Sequence, residues 1–240
     1  MGNISVPKCG SSDKRNDEYE KQYTPKIFYS SIIDHEKPII FDIGAHRGES
    51  VMFFKSIYPD SIIYSFEPDS DNYNNLKDTC ASFSDTCFTY NCAMDEQGGR
   101  KTFYKQSLSH LGGLSPINRK SKDSLGYAEK AENQAIIVDV QSLDEFCRRM
   151  GINHIDLLKI DVQGCEVAVL KGGYQILSHV NVCQLEVSLY DFYETSSCLL
   201  DIELIMKDSG LALWDIAKIS KNPKTLRTDW VELIYKRLNR

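Results

Sequence analysis

The sequence lacks the marks of a membrane protein, a zinc domain or a nucleic-acid binder. No stretch approaches the roughly 18 consecutive apolar residues of a membrane-spanning helix, so insertion into a bilayer is not expected. Its eight cysteines, Cys9, Cys80, Cys87, Cys92, Cys147, Cys165, Cys183 and Cys198, form no C-x-x-C pair, which removes the spacing signal of a structural zinc. Most have apolar neighbours, as in Val182-Cys183-Gln184-Leu185, and read as reduced, buried thiols. There is no basic surplus. With 34 acidic residues against 28 basic ones the formal charge is −6, so nucleic acid is not the expected partner. Met1 to Tyr23 lack the apolar run of a secretory signal, and the expected compartment is the cytoplasm. Met1-Gly2-Asn3-Ile4-Ser5-Val6 starts like a myristoylation signal but has Val6 where Ser or Thr is required.

What is present is an alternation of strand-like and helix-like segments. It predicts an α/β fold, a three-layer sandwich around a mostly parallel sheet. The 240 residues suffice for one large domain. Residues 1–24 read as a flexible polar leader and 25–240 as the domain. Strands are expected at 38–43, 62–66, 87–90, 101–104, 135–140, 155–161, 180–188, 211–216 and 230–235. Helices are expected at 49–58, 70–81, 143–150, 166–170 and 199–209. Residues 105–134 are rich in Ser, Gly, Lys and Asn. A loop this long in a compact domain suggests a substrate-covering segment.

Two features carry chemistry. The first strand ends in Asp42-Ile43-Gly44-Ala45-His46-Arg47-Gly48 and opens a helix, a geometry that brings backbone close to a ligand. A dinucleotide loop would have glycine at position 46. A β-carbon on His46 would crowd a pyrophosphate, while an amino-acid tail needs less clearance. By itself the turn leaves open a methyl donor, an NAD-linked oxidoreductase and a purely structural bend. The second feature is Glu67, at the end of the next strand, placed to accept ribose hydroxyls. Asp69 and Ser70 supply the helix cap there, which leaves Glu67 free.

Phe41-Asp42-Ile43-Gly44-Ala45-His46-Arg47-Gly48-Glu49-Ser50, Ser65-Phe66-Glu67-Pro68 and Ile155-Asp156-Leu157-Leu158-Lys159-Ile160-Asp161-Val162-Gln163-Gly164-Cys165-Glu166 resemble the signature blocks of the FkbM methyltransferases. Ser109-His110-Leu111-Gly112-Gly113-Leu114-Ser115 and Val138-Asp139-Val140-Gln141-Ser142-Leu143-Asp144 are similar to that family as well. The resemblance runs from about residue 38 to about 190. It implies a Rossmann-like sheet of seven strands, one of them antiparallel, with S-adenosyl-L-methionine across the strand ends. Asp42, Gly44, Ala45, His46 and Gly48 would surround its methionine portion, Glu67 its ribose, and Ala93, Met94 and Asp95 its adenine. The implied reaction is O-methylation of a small or glycan-linked hydroxyl acceptor, often a sugar. Two positions depart from the family pattern: His46 stands for its usual Asn and Gln163 for its usual Glu. They keep open a cofactor-binding module without activity.

Methyl transfer from a sulfonium relies on positioning, but a hydroxyl acceptor must still lose its proton to a nearby base. Asp161 and Glu186 end adjacent predicted strands. They are expected as that base or as oxygen ligands of a divalent metal such as Mg²⁺ or Ca²⁺. His110, in the long loop, is the other candidate base. Lys159 lies two residues before Asp161, on the same face of the strand, and is expected to pair with an acid near the site.

Overall fold

The computed structural model describes residues 14–123 and 125–238. The myristoylation-like start and Cys9 lie outside them. In chain order the elements are α1 (Lys14–Gln22), α2 (Pro25–Ile32), β1 (Ile39–Ile43), α3 (Glu49–Ile57), β2 (Ile62–Phe66), α4 (Ser70–Cys80), β3 (Cys87–Tyr90), β4 (Ala93–Met94) and β5 (Gly99–Lys105). Then follow α5 (Tyr127–Lys130), β6 (Gln134–Gln141), α6 (Leu143–Met150), β7 (Ile155–Ile160), α7 (Glu166–Gly172), β8 (Val180–Ser188), α8 (Leu199–Asp208), β9 (Leu211–Lys221) and β10 (Thr228–Arg237).

The main sheet has seven strands in the order β3-β2-β1-β7-β8-β10-β9. Strand β10 is antiparallel to both neighbours, and the other pairings are parallel. This is the expected sheet. Its central strands are apolar on both faces because helices cover both. Ile40, Leu157 and Val182 pack under α2 and α3, while Phe41, Leu158 and Cys183 pack on the other side around Phe146.

Three features differ from the sequence expectation. A second, three-stranded sheet of β4, β6 and β5 stands apart from the main one. Its shortest strand, Ala93–Met94, is too brief to give a period. Within the polar leader, Lys14–Gln22 is helical without burying a side chain; Asp17 stands four residues before Lys21, the favourable order for a surface pair. The long loop is not open chain. Gly113 bridges Tyr104, Ile117 bridges Tyr193, and Ile117, Ala128, Ala131, Phe192 and Tyr193 make a small core of their own. That core draws on residues more than 60 positions apart, which no local pattern reports.

Candidate active site

The chain leaves β1 toward β2 and leaves β7 toward β8, although β1 and β7 are neighbours. A crevice therefore opens at their C-terminal ends, where ligands bind in open α/β sheets. The cleft holds about 270 Å³. Gly44, Ala45, His46, Glu49, Ser50, Phe66, Glu67, Ala93, Met94 and Phe103 form one side of it. Ser109, His110, Gly112, Gly113, Lys159, Asp161 and Gln163 close the other.

The turn after β1 is built by backbone. The amides of Gly44 and Ala45 both donate to the Phe66 carbonyl at 3.0 Å, tying the turn to the end of β2. Gly44 has φ +83°, and a Cβ there would lie 1.9 Å from the Asp161 carbonyl oxygen, so β1 and β7 approach only with glycine at this position. The His46 amide donates to Glu67 Oε2 at 2.9 Å, and the Asp69 amide donates to Glu67 Oε1 at 2.8 Å. Glu67 is 5 % exposed. Burial pushes its carboxyl up to about 8, with the two amides pulling part of the way back.

Some of the expected cofactor residues do not line the cleft. Asp42 is fully buried beneath it; its carboxylate accepts from Ser50 Oγ at 2.5 Å and from Lys159 Nζ at 3.2 Å. The side chain at the end of β1 points into the sheet's covered face and holds the two cleft residues Ser50 and Lys159. Gly48 packs under α4, where a Cβ would meet Thr79 and Leu76. Asp95 pairs with Lys101 at 2.6 Å and caps the Glu96 amide, away from the cleft.

Lys159 is a fixed cation. Burial alone would lower its pKa, but the Asp42 and Asp161 carboxylates outweigh that and hold it above the ordinary lysine value. It pairs with an acid as expected and keeps its proton.

A second cavity, about 420 Å³, lies beside the cleft under the long loop. Tyr127, Tyr190, Phe192, Tyr193 and Trp230 give it aromatic walls; Asp123, Glu186, Lys218 and Asp229 add charge. His110, Asp161 and Gln163 line both cavities and form the wall between them. Gln163 sits in the left-handed region at φ +58°, donates to Asp161 Oδ1 at 2.6 Å and accepts from Tyr193 Oη at 2.5 Å. It thus fixes Asp161, whose other oxygen is 3.9 Å from Lys159 Nζ. Burial, then the proximity of His46, lowers the His110 pKa, with Asp161 opposing, so the imidazole is neutral at neutral pH. Glu186, on β8 opposite Glu232 of β10, lines the second cavity. Burial first, then Asp161, pushes its carboxyl up to about 8.

Asp161 and Glu186 add two carboxylates to the second cavity. No group of three or more His, Cys, Asp or Glu able to hold a metal ion occurs among the described residues. A divalent ion there would take the rest of its oxygen shell from water or the acceptor. The aromatic wall escaped sequence reading because Tyr127, Tyr190 to Tyr193 and Trp230 come from three separate segments without a shared motif. No helix among the described residues is long and apolar enough to cross a membrane.

Comparison with known proteins gives the family. Residues 42–211 match the family described as "Methyltransferase FkbM domain". The 2-O-methyltransferase NoeI of Sinorhizobium fredii (strain NBRC 101917 / NGR234) is 27 % identical over 168 residues, covering 68 % of this chain and 69 % of that protein. The 31-O-demethyl-FK506 methyltransferase FkbM of Streptomyces tacrolimicus is 28 % identical over 153 residues, covering 56 % of this chain and 58 % of that one. The crystal structure of methyltransferase FkbM from Methylobacillus flagellatus KT superposes with a TM-score of 0.53 at 17 % identity. It covers 92 % of this chain, which spans 50 % of that one, and it shows the shared fold. The family match takes in the turn from Asp42 to Gly48, Glu67 and the Asp161 strand end together, and it settles the choice between methyl donor and dinucleotide: the chain belongs to the FkbM family of S-adenosylmethionine-dependent methyltransferases.

Proposed function

We propose that this methyltransferase transfers its methyl group to a hydroxyl of a sugar or sugar-like polyol held in the second cavity. The observation that carries the reading is the shared wall of His110, Asp161 and Gln163 between the two cavities. A hydroxyl seated at that wall meets both the methyl donor and a base. The aromatic rings suit the apolar faces of a sugar ring, and the carboxylates suit its hydroxyls. The relative named a 2-O-methyltransferase supports transfer to oxygen.

The residues at the cleft fit S-adenosylmethionine, which supplies an activated methyl group when bound. Each Glu67 oxygen takes one backbone amide and, with the carboxyl ionised, keeps a lone pair for the ribose hydroxyls. Phe66, Ala93, Met94 and Phe103 offer an apolar wall for a flat ring. The turn at Gly44 to His46 offers backbone to the amino-acid end.

Among the candidate bases His110 fits best. It lines both cavities and is unprotonated at neutral pH. Asp161 is occupied by Gln163 and lies near Lys159, so it orients. Glu186 lines the second cavity away from the shared wall and binds a second hydroxyl. The test is a panel of glycans and small polyols with labelled S-adenosylmethionine, followed by a pH profile on the best acceptor. The expected kcat/KM rises with an acid limb below 6.5, the ordinary histidine value, and His110→Ala removes the limb. A limb near 8 would instead assign the base to Glu186. A panel without methylated product would overturn the hydroxyl reading.

A further inference from the structure

His46 is the residue at which this chain departs from the family pattern in its cofactor turn, and its ring is engaged away from that turn. The backbone at φ +50° follows the turn, and its amide is spent on Glu67. The imidazole spans to the acceptor loop. Its Nε2 lies 2.8 Å from Ser109 Oγ, and its Nδ1 lies 3.3 Å from Glu49 Oε1 on the first turn of α3. Arg47 Nη2 adds a longer bond to the same Ser109 oxygen at 3.4 Å.

Ser109 opens the short 3-10 turn Ser109–Leu111, whose middle residue is His110. On the acceptor side that turn is held by Leu111, which packs against the small core of Ile117, Ala128, Ala131, Phe192 and Tyr193. The Leu111 carbonyl accepts from Tyr193 Oη at 3.4 Å, and the loop is next pinned where Tyr104 pairs with Gly113. At its other end Lys105 is tied to Asp69 and Asp71 at the start of α4, at 3.1 Å and 2.6 Å. On the cofactor side, the bonds of His46 and Arg47 to Ser109 tie the His110 turn to the residues after β1.

We propose that His46 is a positioning residue: through Ser109 it latches the acceptor loop to the cofactor turn and so sets His110 at the wall between the two cavities. The inference rests on the reading of His110 as the residue acting at that wall. Because His46 and Glu67 are joined through the His46 amide, a ligand on Glu67 also steadies the latch.

The test uses His46→Asn, His46→Gln and Ser109→Ala in the full chain. Asn tolerates the left-handed backbone but is too short to reach Ser109. Gln reaches about as far as the imidazole Nε2, and Gln163 shows that this chain accepts it at positive φ. S-adenosylhomocysteine affinity by calorimetry is expected to stay within about threefold in all three variants, because the backbone contacts remain. Turnover is expected to fall about tenfold in His46→Asn and Ser109→Ala, in kcat more than in KM, through misplacement of His110. His46→Gln restores most of it. Hydrogen exchange gives a readout independent of any acceptor. S-adenosylhomocysteine slows exchange over residues 107–113 in the wild type and His46→Gln, and fails to do so in His46→Asn and Ser109→Ala.

Wild-type kcat together with wild-type protection in His46→Asn and Ser109→Ala would overturn the latch. So would loss of S-adenosylhomocysteine affinity in His46→Asn, which would make His46 a cofactor ligand. A His46→Gln that stays at the His46→Asn level would overturn the assignment to the Ser109 bond. If the wild type methylates no hydroxylated acceptor, the proposed function fails while exchange and affinity still decide the latch.

Discussion

Asp42→Asn removes the charge that holds Lys159 and changes almost no volume. In the wild type the Asp42 carboxylate is fully buried and 3.2 Å from the Lys159 ammonium, with the Ser50 hydroxyl on its other oxygen. Losing one partner of a buried ion pair costs about 3–5 kcal/mol, since the remaining charge is stranded. Asp161, 3.9 Å from the same ammonium, relieves part of this, so the expected loss is at the low end, about 3 kcal/mol. In a chain of this size about 2–4 °C of Tm corresponds to each kcal/mol, which gives a fall of about 6–12 °C. The sign of the pH dependence follows from Lys159. Its folded pKa lies above the ordinary value in the wild type, so the pair's contribution is complete at neutral pH and fades only as pH rises through that folded value. In the variant burial is opposed only by Asp161 and, more weakly, Glu232, and the lysine pKa moves down. The wild-type protein then holds the extra proton between the two values, and the stability gap is widest near neutral pH and narrows in alkali. The double variant Asp42→Asn/Lys159→Met removes the stranded charge and is expected within about 1 kcal/mol of the wild type. Thermal unfolding from pH 6 to pH 10, with S-adenosylhomocysteine calorimetry, measures both effects. An unchanged Tm with binding abolished would refute the argument, because Asp42 would then act on the ligand and not on Lys159.

Gly44→Ala is expected to lower Tm by about 10 °C and to abolish S-adenosylhomocysteine binding. The new methyl lies on the Asp161 carbonyl at 1.9 Å and occupies a left-handed residue. A variant with wild-type Tm and binding would show that β1 and β7 separate without cost. Glu186→Gln is expected to raise Tm at pH 8 and above. Glu186 is an acid pushed up to about 8 from the ordinary 4.5, so its ionisation withdraws stability as pH rises across that window, and the gain should vanish near pH 4.5. Equal Tm values at pH 9 would mean that the carboxylate has a compensating partner. The same variant is expected to raise the acceptor KM more than it lowers kcat, which separates acceptor binding from base catalysis in initial-rate kinetics.

Much of this architecture is fixed by local chemistry that a single sequence displays. The largely apolar runs Ile39–Ile43, Ile155–Ile160 and Val180–Ser188 read as strands covered on both faces, and Gly44 and Gly48 mark a turn that bulkier residues cannot make. Glu67 stood out as an acid at a strand end beside a glycine turn, but where the sequence left it free of capping, the structure has its two oxygens accepting the His46 and Asp69 amides. The tertiary structure decided matters that depend on direction and distance. Asp42 looked like a cofactor ligand, and only the sheet register, which sets it beside Lys159, shows that it faces a buried cation. Asp95 follows two residues that do line the cleft, yet Lys101 from the next strand turns it away. The aromatic cavity exists because the 105–134 loop folds onto the chain around Phe192 and Tyr193, a contact more than 60 residues long in sequence. The sequence alone therefore determined the sheet, the cofactor turn and the chemistry of the donor. Which side chains face the ligands, and that His46 reaches the acceptor loop, depended on packing between segments far apart in the chain, which local periodicity does not encode.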